Sequence, residues 1–134
     1  MYLRFVSPLS HRGRRKDVHY GIFQAAFHCR DNIDKPNWLQ AQLVVEIEAL
    51  KASISAPCDS VFDHRCQPGF HIEPVCWFKP EATIPIRQCF TVRALLDLCG
   101  VPVSVLKTRT PGRVVFEDRL QIVALAPHGT SQFR

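Results

Sequence analysis

The C-terminal third constrains this chain most. Val101–Leu106, Val114–Phe116 and Gln121–Leu125 are short runs rich in β-branched and apolar residues, with no helical period and too little length for a helix. Pro111-Gly112 separates the first two, and Glu117, Asp118 and Arg119 separate the last two. Proline fixes φ for the second position of a type II turn and glycine supplies the positive φ of the third. The spacing therefore predicts three closing strands in a small antiparallel meander, with turns after Lys107 and after Phe116.

The rest of the chain alternates between strand and helix signals. Tyr2–Val6 is short, aromatic and β-prone, and Pro8 is expected to end it, opening a basic loop over residues 7–17. Val18–Cys29 is ambiguous: an extended entry through Tyr20 precedes Phe23, Ala26 and Phe27, whose spacing suits a short helix after Gly21. Pro36 suits the first position of a helix running from about Asn37 to Ile54. Its apolar residues fall into two rows, Leu39, Leu43, Ile47, Leu50 and Ile54 in one and Trp38, Ala41, Val45, Ala49 and Ala52 in the other, taken as lying side by side. Gln42, Glu46 and Ser53 mark its wet face.

Residues 55–74 hold Pro57, Pro68, Gly69 and Pro74 with no sustained period and are expected as an irregular loop. Val75–Phe78 reads as a buried strand. A second helix follows between Glu81 and Cys99, with Thr83 as cap, a core face of Ile86, Cys89, Phe90, Val92, Leu95, Leu96 and Cys99, and Gly100 as its left-handed stop. This order predicts an α+β fold, a mainly antiparallel sheet of four to five strands with two helices packed on one face.

A chain of 134 residues, 46% of them hydrophobic, can bury one core without a staple, so residues 1–134 are read as a single domain and the six cysteines as reduced thiols. Cys76, Cys89 and Cys99 sit in apolar segments and are expected to pack. No apolar run approaches the ~18 residues of a membrane span, and the N-terminal segment lacks a secretory pattern; a cytoplasmic location is the expectation.

Catalytic signals are sparse. Cys58, His64, Cys66 and His71 could supply a Cys2His2 set, but their spacing lacks the paired arrangement that lets two ligands converge from one turn, so neither metal nor cofactor is expected. His28 and Cys29 are adjacent without forming a nucleophile and base pair. Glu117-Asp118-Arg119 is what a hairpin end presents to water. Dinucleotide, P-loop, zinc-protease and serine-hydrolase motifs are all missing from the sequence. A non-enzymatic role follows as the expectation.

Binding signals are better supported. The net charge is +5, and Arg12, Arg14, Arg15 and Lys16 concentrate four cations near the N-terminus, while Arg109, Arg113 and Arg119 surround the C-terminal turns. These could meet an acidic protein face or nucleic-acid phosphates, although the aromatic residues fall in core segments and leave no stacking platform. Trp38, in the first turn of the long helix, is the interface candidate, because tryptophan is enriched at contact anchors.

As an ordered set, Met1–Val6, Gly21–Ala26, Val75–Phe78, Gly100–Val103, Thr110–Gly112 and Asp118–Ala124 resemble a family of short bacterial proteins of unassigned function. The resemblance spans most of the chain outside the 55–73 loop and implies a bacterial, cytoplasmic, single-domain protein; it brings no activity. The sequence thus points to a small protein that binds another macromolecule, foremost a protein, in an adaptor, inhibitor or immunity role. An accessory nucleic-acid-binding protein using the basic loop is the alternative.

Overall fold

The computed structural model describes residues 1–10, 19–31, 34, 36–54 and 75–125. Its elements are β1 (Tyr2–Ser10), β2 (His19–Gly21), α1 (Ile22–Arg30), α2 (Asn37–Ser53), β3 (Val75–Phe78), α3 (Thr83–Leu98), β4 (Ser104–Thr108), β5 (Arg113–Glu117) and β6 (Gln121–Leu125). The α+β class holds, and every described strand pairing is antiparallel. Three helices are present where two were expected. The third is α1, where Gln24 turns back so that its Oε1 accepts from the Gly21 N–H at 2.8 Å, satisfying one donor that a helix start leaves open.

β1 is the hub of the sheet. One edge pairs with β4 from Tyr2–Thr108 to Val6–Ser104, while the other meets β3 at Leu3 and β2 from Val6 to Ser10. β3 continues to β6, and β6 to β5. The strand runs through Pro8 to Ser10, so Pro8 does not end it and the loop does not begin at residue 7. Beyond Val6 it has β2 as its one listed neighbour and the register shifts before Ser10, a setting that tolerates a residue without an N–H.

The closing strands do not form the expected meander. β5 and β6 pair, but β4 pairs with β1 at the opposite side of the sheet. Turn chemistry at Pro111-Gly112 was read correctly, since Gly112 has φ +110, yet a turn does not choose a partner strand. The link has a geometric consequence. From Thr108 to Arg113 the chain reaches at most about 18 Å. A flat sheet would place these residues four strand spacings apart and several residues apart along the strands, about 25 Å in all. The sheet must therefore coil, drawing β4 and β5 toward each other.

Alternation of side chains along the strands gives each sheet face its own core. Phe5 joins Leu39, Leu43 and Ile47 of α2, Ala25 and Ala26 of α1, and Cys89, Val92 and Leu96 of α3. Phe78 packs against this cluster, its ring edge-on to Phe5 at 6.3 Å. The opposite face gathers Val6, Val75, Trp77, Leu106, Ile122 and Ala124, with Tyr2 against them. The Arg93 Nε donates to the Val103 carbonyl at 2.7 Å, tying α3 to the lead-in of β4. Gly100, with φ +78, stops α3 as expected. Among the described residues no helix is long and apolar enough to cross a membrane.

Candidate interaction surface

The two apolar rows of α2 have opposite fates. Leu39, Leu43, Ile47 and Leu50 are buried, whereas Trp38 is 62% and Val45 59% exposed, with Ala41 and Ala52 also open. At about 100° per residue the second row lies across the helix from the first and not beside it, which is why one core cannot cover both. The expected wet face is instead a helix seam. Glu46 and Ser53 are half-buried; the Ser53 hydroxyl hydrogen-bonds to Gln88 Oε1 of α3 at 2.6 Å, with the Leu50 carbonyl 2.9 Å away, and Gln42 Nε2 donates to Glu46 Oε1 at 3.0 Å.

α3 repeats the pattern. Pro85, Cys89, Val92 and Leu96 are buried, while Ile84 is 62% and Leu98 65% exposed, with Thr91 open between them at a spacing of i, i+7, i+14. Measured round each helix from the Ser53–Gln88 seam, the exposed rows of both turn away from the core by similar angles. They thus share the outer side of the two-helix layer. Phe90 departs from the expected core face: it is 43% exposed, although its ring still meets Phe5 edge-on at 5.2 Å.

The cationic residues do not converge. Arg109, Arg113 and Arg119 are all exposed, but Arg113 opens β5 and Arg119 follows its far end, so the strand length separates them. Arg12, Arg14, Arg15 and Lys16 lie outside the described residues, as do Cys58, His64, Cys66 and His71. Among the described residues no group of three or more His, Cys, Asp or Glu could hold a metal ion.

The thiols and carboxylates have structural surroundings. Burial pushes the Cys89 thiol up to about 12. Cys76 is exposed by area, against its expected packing role, because it alternates with the buried Val75 and Trp77. Neighbouring protein nonetheless desolvates its thiol, which rises to about 11 with Arg4 opposing the rise and Asp118 adding to it. Neither thiol is a ready nucleophile at neutral pH. Asp118 is partly desolvated, which would raise its pKa. Hydrogen bonds from the Leu120 N–H, the Gln121 side chain and the Gln121 N–H, with Lys79 nearby, nevertheless hold it below the ordinary carboxylate value. Glu117 pairs with Lys79. These acids close the β5–β6 turn, and the small cleft they line with Ala52, Ser53, Ile54, Arg119 and Leu120, about 270 Å³, abuts the end of α2.

Trp38 is thus the sequence-predicted site residue that the structure sets within a larger surface, next to Val45, Ile84 and Leu98. Those three were read as core or passed over because they are apolar; separating the helix positions by angle would have found Val45. No family model matches the chain, and no curated protein or solved structure is significantly similar to it.

Proposed function

We propose that this chain is a protein-binding module without a catalytic role, and that its contact surface is the outer side of α2 and α3 around Trp38 and Val45. The observation that carries this reading is the pair of exposed apolar rows on adjacent helices. Single exposed apolar residues are ordinary, but large ones aligned on one side of a helical layer mark contact sites. Desolvated thiols and turn-bound carboxylates support the non-catalytic half of the proposal. A bacterial cytoplasmic adaptor, inhibitor or immunity protein is the class this reading favours, in keeping with the resemblance of its short blocks.

The test compares proteins retained from a bacterial lysate by the tagged chain, by Val45→Glu and by Arg113→Ala/Arg119→Ala. The proposal expects Val45→Glu to lose retained proteins while the arginine variant keeps them. Retention that depends on the arginines and disappears with added salt, and is indifferent to Val45, would replace it with an electrostatic, nucleic-acid type of binding.

A further inference from the structure

We infer that the occupant of the outer α2–α3 side is a second copy of this chain, docked through an antiparallel two-fold pairing of α2 with its counterpart. The inference rests on the reading of that side as a contact surface and names its partner. A two-fold interface must be complementary to itself: whatever residue i meets at j, j must meet at i. The exposed row of α2 has this property. Trp38 and Ala52 each stand seven residues from Val45, and Ala41 and Ala49 each stand four. An antiparallel copy related by an axis at Val45 therefore sets each Trp38 over the other copy's Ala52, the bulkiest side chain of the row over one of the smallest, and each Ala41 opposite an Ala49. Small residues at those positions let helix axes come within about 8 Å.

α3 extends the same contact. The last residue of α2 meets the first half of α3 through Ser53 and Gln88, so the two helices overlap along their length only if they run antiparallel. Counting back from that level at about 1.5 Å per residue, Leu98 falls within roughly 3 Å of the level of Val45. The same axis thus brings Leu98 beside its own counterpart. The area is adequate: α2 is about 25 Å long, and with α3 about 10 Å alongside it the layer presents roughly 500 Å² in projection and more in accessible surface, near the ~800 Å² per partner of a stable pair. Charge does not oppose the approach. Glu48, on the rim of the row, is paired with Lys51 of its own helix at 3.5 Å.

Sedimentation equilibrium of the full chain, from low to high micromolar concentration, tests this. The expected result is twice the chain mass, falling to the single mass in Val45→Glu. In case Val45→Glu disturbs folding, Val45→Cys is oxidised under mild conditions: it should form a disulfide-linked dimer, whereas the unsubstituted chain and Val44→Cys, about 100° round the same helix, should not. A chain monomeric throughout, or a Val44→Cys that links as readily as Val45→Cys, would overturn the second copy. If the chain is monomeric yet Val45→Glu still loses retained proteins, the contact surface stands with a different occupant. If Val45→Glu changes neither mass nor retention, both readings fall.

Discussion

The inner and outer rows of α2 are composed of similar side chains on one helix, yet Leu43 is wholly buried and Val45, two residues on, is 59% exposed. Apolar character is therefore not what separates core from contact surface here; angle round the helix is. The inner row meets the sheet, α1 and α3, and its removal opens a cavity. The outer row meets solvent in the isolated chain, and its removal costs stability little.

The comparison can be broken most directly at Leu43. Leu43→Ala should lose about 2–5 kcal/mol of unfolding free energy in urea titration, because the truncated atoms lose their contacts and leave a void. A loss no greater than that of Val45→Ala would erase the distinction. Next comes the turn that packs beside the end of α2. Asp118→Ala leaves the Leu120 and Gln121 N–H groups without their acceptor and should cost about 1–2 kcal/mol. Its pH dependence has a definite sign. A carboxylate whose folded pKa is depressed contributes stability above its unfolded value, near 3.8, and loses it as pH falls through the lower folded value. The urea midpoint of the parent chain should therefore fall more steeply than that of Asp118→Asn below about pH 4.

Smaller effects sharpen the border between the rows. Ser53→Ala removes the hydroxyl that reaches Gln88 and should cost about 1 kcal/mol, measured by thermal unfolding. A neutral result would mean that water serves Gln88 equally well and that the seam is no firmer than the outer side. Val45→Ala should shift unfolding by no more than about 0.5 kcal/mol, since it deletes exposed atoms. Any larger loss in dilute solution would show that the outer row is packed within one chain.

Local chemistry explains which elements were legible in the sequence. Val75–Phe78 and Gln121–Leu125 are runs whose burial follows from composition, and Gly100 supplies the left-handed stop of α3 that its position implied. Ser104–Thr108 was legible as a strand but not as the neighbour of β1, because pairing across almost the whole sequence leaves no local signature. Pro8 misled for the opposite reason: a local rule against proline in strands yields where the neighbour lies on one side and the register is irregular. Within the candidate surface Trp38 was legible by residue type. Leu98 and Ile84 were not, since an apolar residue announces burial whether the covering group belongs to its own chain or to another.

The position of β1 also governs when the molecule can be completed. It is the first strand to leave the ribosome, and its longest partner, β4, is made only after residue 103. Until then the central strand carries an open edge, and nucleation must bridge nearly the full polypeptide, a high-contact-order arrangement that slows folding. Nascent chains released early would expose that edge to one another, so elongation and not the local helices sets the earliest moment of native assembly.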